Sequence, residues 1–168
     1  MAMVLKGRVW KFGDGITTDD IIPGRFFHLR SNLPELAKHT MEDLRPQFAP
    51  EARPGDFVVG GQNFGQGSSR EHAAKVLKLK GVGAVLAKSF ARIFFRNAIN
   101  VGLAAITCDT DQIDEGDELE VNLERGIIRN LSKKRELTFA PLPSVMARIL
   151  SDGGLVAHIK KYGEFKLD

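Results

Sequence analysis

The chain has 168 residues, 43% of them apolar, and its 24 basic residues stand against 21 acidic ones for a net charge of +3. That balance leaves no concentrated basic face for nucleic acid, and a chain of about 150 residues can bury roughly two-thirds of its unfolded surface, so a single domain over residues 1–168 is expected. One cysteine, Cys108, excludes an internal disulfide and any three- or four-thiolate cluster held by this chain alone. With no signal-peptide core in Met1–Lys11 and no apolar run of ~18 residues, the expectation is a cytoplasmic protein that does not enter a membrane.

In chain order, apolar runs and alternation predict strands near Val4–Phe12, Phe57–Gly60, Ala84–Ala87, Ala104–Thr107, Glu118–Asn122, Ile127–Asn130 and Glu136–Phe139. Helical spacing predicts helices near Leu33–Met41, Ser69–Lys80, Ala91–Val101, Ser144–Ser151 and Leu155–Tyr162. The break Ser151-Asp152-Gly153-Gly154 fits a helix stop with glycine past its end, followed by a restart. Parallel βα units in the middle and antiparallel strands later predict an α/β domain with a mixed sheet. Lys133-Lys134-Arg135 reads as a solvated hairpin, and Cys108, after the apolar run 103–107, as a buried strand end rather than a nucleophile.

Three polar clusters interrupt this pattern. The first, Gly13 to Arg25, sets Thr17 and Thr18 beside Asp19 and Asp20. Asp14, Thr17 and Thr18 suit an ordinary polar turn, whereas Asp19, just before Ile21-Ile22, could be drawn inward, where a carboxylate must be paired. The second, Gly60 to Ala74, joins a strand, a glycine-rich turn and a helix start. Ser68-Ser69-Arg70-Glu71 fits the capping box S-x-x-E. A cap does not account for four glycines, the amides Gln62 and Asn63, or an arginine in the first helical turn, where the dipole disfavours a cation by a few tenths of a kcal/mol. Arg70 needs an anion to face, and the unpaired N–H groups of a helix start suit a carboxylate, a phosphate or a serine alkoxide. The third, Ala87 to Gly102, repeats Arg92, Arg96 and Asn100 at i, i+4, i+8 opposite an apolar face of Phe90, Ile93, Phe94 and Ala98. That is either a solvated stripe or an edge facing a partner or an acidic substrate.

Taken together, Thr17-Thr18-Asp19 with Ile21-Ile22-Pro23-Gly24, then Gly67 to Ala73, then Ala87 to Asn97 resemble the swivelling domain of the aconitase superfamily in its free-standing form, the small subunit of an isopropylmalate- or homoaconitate-type dehydratase. The resemblance spans roughly residues 8 to 105. It implies a three-layer β/β/α fold and reversible dehydration and rehydration of a small hydroxy di- or tricarboxylic acid. It also implies a [4Fe–4S] cluster held by a partner large subunit, with no metal bound by this chain. By position in the motifs, Ser68 carries over as catalytic base with Asp19 beside it. Arg70 carries over as the substrate-carboxylate clamp, with Ser69, Gln62 and Asn63 also substrate-binding. The loop 25–32 is where the family reads the substrate's variable group. Here His28-Leu29-Arg30-Ser31 gives mixed signals: Arg30 suits a second carboxylate, while Leu29, with Phe26 and Phe27, suits an alkyl group or anchors the loop. A dimethylmalate or methylcitrate dehydratase subunit is a further alternative, as is a phosphate- or nucleotide-binding module built on Gly60–Gly67, although the Lys-Ser/Thr ending of a P-loop is lacking.

Overall fold

The computed structural model describes residues 4–68 and 70–163. Seven strands, β1 (Val4–Lys11), β2 (Phe57–Val59), β3 (Ala84–Ala87), β4 (Ala104–Thr107), β5 (Glu118–Asn122), β6 (Ile127–Asn130) and β7 (Arg135–Thr138), form one mixed sheet in the order β4-β3-β2-β1-β5-β6-β7. The strand shared by both halves is β1. Its residues 4–8 pair antiparallel with β5, and Val9, Trp10 and Lys11 pair in parallel with Phe57, Val58 and Val59 of β2. The strands β2, β3 and β4 continue the parallel half, and β5, β6 and β7 form an antiparallel meander.

The curled sheet gives the β/β/α layering expected from the resemblance. β2 and β3 are apolar at every position and buried on both faces, as central parallel strands are. One face, with Val58, Val85, Ala87 and Ala105, packs against Ala73, Ala74, Val76 and Leu77 of α4 (Glu71–Leu79) and Phe94 and Ala98 of α5 (Arg92–Asn100). The other face, with Phe57, Val59, Leu86 and Ile106, meets Leu119, Val121, Ile128 and Leu137 of the antiparallel half, closed by Ile149 and Leu150. Alternation in β5 makes this possible, because a one-residue slip would turn Leu119 and Val121 out to water. The shorter helices α1 (Thr18–Ile21), α2 (Leu33–Ala37) and α3 (Phe48–Glu51) precede β2, and α6 (Ser144–Ser151) and α7 (Leu155–Tyr162) follow β7.

Several local expectations are corrected. α4 starts at Glu71 with Arg70 as its N-cap, so the capping box at Ser68–Glu71 does not form. The capping box of this chain is at Thr17 and Asp20, where the Asp20 N–H donates to Thr17 Oγ1 (3.0 Å) and the Thr17 N–H to Asp20 Oδ2 (2.9 Å). The helix expected to reach Met41 stops at Ala37, and Met41 takes a left-handed φ of 59° with its N–H on the Ile21 carbonyl. Lys133 is not simply solvated: it bridges Asp114 and Asp117 and pins the hairpin to the loop before β5.

The loops at the carboxyl ends of β1, β2 and β3 lie side by side and keep exchanging backbone hydrogen bonds past the strand ends. Between the first two, Phe12 N–H donates to Val59 O (2.7 Å), Gly61 N–H to Gly13 O (3.1 Å), Gly15 N–H to Gln62 O (2.8 Å), Gly65 N–H to Ile16 O (2.6 Å) and Thr18 N–H to Gln66 O (2.9 Å). On the other side Lys88 N–H donates to Gly61 O (3.0 Å), Phe64 N–H to Ser89 O (3.0 Å) and Ala91 N–H to Phe64 O (2.9 Å). The glycine-rich segment is thus a strap bonded along both edges. Glycine is required at 65, where φ is +86° and a Cβ would collide with the Phe94 ring. Gly65→Ala is therefore expected to lower stability by about 2–5 kcal/mol, the sum of a left-handed strain of ~1–2 kcal/mol and overpacking of ~1–3 kcal/mol; urea unfolding monitored by tryptophan fluorescence measures it.

Candidate active site

Ligands of open α/β sheets bind beyond the carboxyl ends of parallel strands, and the three polar clusters of the sequence converge at that end here. A pocket of about 310 Å³ lies between the strap and α5, lined by Thr18, Ser68, Arg70, Arg92, Ile93 and Asn97 among others. Thr18 comes from the β1 loop, Ser68 and Arg70 from the strap, and the last three from α5.

Thr18 is 3% exposed, on the inner side of the short helix 18–21. Its hydroxyl donates to the Ser68 carbonyl at 3.1 Å and lies 3.4 Å from Ser68 Oγ. With one proton and two acceptors in reach, Thr18 can accept a hydrogen bond from a neutral Ser68 hydroxyl while donating to the carbonyl, or turn its own proton to Oγ when Ser68 is ionised. The Ser68 carbonyl also accepts the N–H of Arg70, the residue directly before α4, at 2.8 Å. The hydroxyl therefore sits beside the amino end of a nine-residue helix without capping it, where negative charge is favoured.

Arg70 is left with an unmet donor. Its guanidinium makes no hydrogen bond among the described residues, and Nη1 is buried without a partner. The nearest carboxylate is Asp19, with Oδ1 3.7 Å from Nη1, and the guanidinium rests over the Phe27 ring, Cζ 4.8 Å from its centroid. A buried donor left unmade costs about 1–3 kcal/mol, more for a charged group, so this fork is set to receive an anion. Asp19 is not drawn into the interior: its side chain is 69% exposed and Oδ1 accepts the Gly24 N–H at 2.8 Å. Helical spacing explains this, since Thr18 and Ile21 take the inward face of the turn.

The other expected site residues lie elsewhere in the cluster. Gln62 and Asn63 are exposed on the strap and do not line the pocket. Ser89 Oγ accepts the Asn63 N–H (2.8 Å) and donates to Gln62 Oε1 (2.9 Å), while Asp14 accepts the Gln62 N–H at 2.7 Å. Leu29 packs against the core. Arg30, exposed, folds back onto its own loop, with Nη1 donating to Phe27 O at 3.2 Å and Cζ 5.1 Å from the Phe27 centroid. Ser69 lies outside the described residues. Sequence reasoning passed over Asn97, which lines the pocket with its carboxamide free of protein partners among the described residues, and weighed Thr18 only as a turn residue. The signal for Asn97 was a carboxamide one turn beyond Ile93, on the side of α5 otherwise read as apolar.

Burial, with Lys75 nearby, holds the His72 imidazole below its usual value, so it stays neutral at neutral pH. Burial pushes the Cys108 thiol up to about 12, far from a thiolate. No grouping of His, Cys, Asp and Glu able to hold a metal ion exists among the described residues. With a single cysteine, this chain does not offer the thiolate set that holds an iron–sulfur cluster. A larger cleft of about 590 Å³ opens at the amino end of β2, lined by Arg8, Trp10, Arg53 and Asp56 among others. Its Asp56 is committed to the Trp10 indole N–H and the Arg53 N–H, both at 2.9 Å.

Comparison with known proteins gives the same picture. Residues 30–111 match the aconitase C-terminal domain family. The chain is 61% identical to "3-isopropylmalate dehydratase small subunit 2" of Archaeoglobus fulgidus over 98% of this chain and 100% of that one. It is 55% identical to small subunit 1 of the same enzyme from Thermotoga maritima, over 96% and 98% of the two chains. The crystal structure of 3-isopropylmalate dehydratase from Methanocaldococcus jannaschii superposes with a TM-score of 0.92 at 44% identity, covering 96% of each chain. Full-length identity at this level, a shared fold and the serine–arginine pocket at the ends of β1 and β2 make this chain a member of the 3-isopropylmalate dehydratase small-subunit family, the free-standing relatives of the aconitase C-terminal domain.

Proposed function

We propose that the chain is the serine-bearing half of a two-subunit hydro-lyase that isomerises 3-isopropylmalate by dehydration and rehydration, in leucine biosynthesis. The observation that carries this is the convergence in one pocket of a serine hydroxyl, a buried threonine hydroxyl able to follow its proton, and an arginine fork with an unmatched buried nitrogen. Removing a proton from carbon beside a hydroxyl-bearing carbon needs a base on one side and a Lewis acid for the leaving hydroxyl on the other. The base is here. The Lewis acid, a [4Fe–4S] cluster, belongs to a cysteine-rich large subunit that closes over this pocket, and no group of this chain holds it.

Within this chain the roles divide as follows. Arg70 binds a substrate carboxylate with its bidentate fork and satisfies its buried Nη1 in doing so. That contact sets the acidic carbon against Ser68 Oγ. Ser68 takes the carbon's proton as an alkoxide stabilised by Thr18 Oγ1, by the amino end of α4 and by the cationic Arg70, and returns it during rehydration. Asp19 stands on the outer side of Arg70, braced by the Gly24 N–H, with its carboxylate open to the partner. Ser69 remains in the substrate-binding set by its place between Ser68 and Arg70, and Gln62 and Asn63 serve by holding the strap. Arg30, folded onto Phe27, leaves the loop's apolar side chains to meet the variable group, which favours an alkyl substituent over the extra carboxylate of a homoaconitase substrate.

Two outcomes test this reading. The purified chain alone is expected to unfold cooperatively and to show no dehydratase activity, and mixing with a cluster-loaded large subunit of a relative is expected to restore it; turnover by this polypeptide alone would refute the division of labour. In the assembled enzyme Ser68→Ala is expected to lower kcat by at least ~10²-fold, the lower range for general-base catalysis. The melting temperature should hardly move, because Ser68 caps no helix. Arg70→Lys keeps the charge and loses the fork, so it should mainly raise KM. Steady-state kinetics with scanning calorimetry read both variants.

A further inference from the structure

Phe27 has so far counted only as apolar surface of the 24–29 turn, yet three charged or polar side chains are arranged around its ring. The Arg70 guanidinium lies over the ring at 4.8 Å and that of Arg30 at 5.1 Å, while the His72 ring meets it edge-on at 5.4 Å and 83°. The Phe27 carbonyl accepts the Arg30 Nη1–H at 3.2 Å. What otherwise fixes Arg70 is slight. Its guanidinium has no hydrogen bond among the described residues, and Asp19 at 3.7 Å is beyond hydrogen-bond reach. A flexible side chain with a free fork gains binding power when its direction is set before the ligand arrives, since less rotamer freedom is then lost on binding. An aromatic face does this for arginine, because guanidinium stacks on it and keeps every N–H free.

We propose that Phe27 is the positioning residue of the carboxylate clamp: its ring face aims the Arg70 fork into the Ser68 pocket, and the same ring ties that fork to the 24–29 turn through Arg30. The turn and the clamp then form one unit, so a change in the variable-group loop is felt as a change in carboxylate affinity. This rests on the role of Arg70 proposed above. Leucine fits the position as apolar volume and lacks the quadrupole, whereas tyrosine keeps the aromatic face.

The test is a double-mutant cycle in the assembled two-subunit enzyme with 3-isopropylmalate as substrate, read as KM, kcat and melting temperature. Phe27→Leu is expected to raise KM about five- to ten-fold, the range of a partly desolvated cation–π contact, with kcat within about two-fold. Phe27→Tyr is expected to stay within about two-fold of the parent in KM, since it restores the face. In an Arg70→Lys background the further effect of Phe27→Leu is expected to shrink to less than about two-fold, because coupled residues are not additive. A Phe27→Leu variant with unchanged KM, or one that loses kcat and melting temperature together without rescue by tyrosine, overturns the proposal and leaves Phe27 a packing residue. If Arg70→Lys itself leaves KM unchanged, the clamp reading fails first and this proposal falls with it. A raised KM in Arg70→Lys beside an unaffected Phe27→Leu refutes the positioning role alone.

Discussion

The site depends on a backbone ladder that does not stop where the strands do. Between residues 12 and 18 and residues 59 and 66, hydrogen bonds alternate from one loop to the other, and the strap is bonded again to residues 88–91 on its far edge. Buried or half-buried backbone groups must be paired, and here the pairing is made between loops that are far apart in sequence. The result is a segment with the conformational freedom of glycine and the rigidity of a sheet. Ser68 therefore stands at a defined distance from Thr18, a residue fifty positions away, without any long side chain having to reach across.

Charge is arranged at this site so that something is left unsatisfied. Most exposed ion pairs of the chain are complete in themselves, as in Arg25 with Asp43 or Lys88 with Asp111. Such pairs contribute little stability and recognise nothing further. Arg70 differs, for its one carboxylate neighbour stands off at 3.7 Å and its Nη1 is buried with no acceptor. His72, kept neutral by its surroundings, adds no competing charge. A carboxylate entering the pocket would complete what the fold leaves open.

The architecture explains why this half of the catalyst can be a separate chain. The helix-covered face and the sheet-on-sheet face each bury their own apolar cluster, so the fold does not rely on the partner for its core. Burial of a Phe or Leu side chain contributes about 1.5–3 kcal/mol. Phe48, Phe57, Phe64 and Phe94 are all buried to 2% exposure or less. Phe94 serves twice, closing the core beneath α5 and filling the space that glycine leaves at position 65.

Much of this was determined by the sequence itself. The all-apolar runs of β2 and β3, the alternation of β5 and the helical spacing of α4 and α5 are local patterns, and they placed the strands and main helices to within a residue or two. The motifs around Asp19, Ser68 and Arg70 marked the family in the same way, because each is a short run of residues in one loop. What only the tertiary structure decided are relations between loops. Ser68 does not cap α4, and its hydroxyl stands instead beside Thr18, a contact between loops that no local rule foresees. Asp19 faces solvent because its helix neighbours claim the inward positions. Arg30 is tied back and Arg70 shelved on one ring because the 24–29 turn lies against the start of α4. A side chain's type is written in the chain, but which acceptor it is denied depends on the neighbours that folding brings within reach.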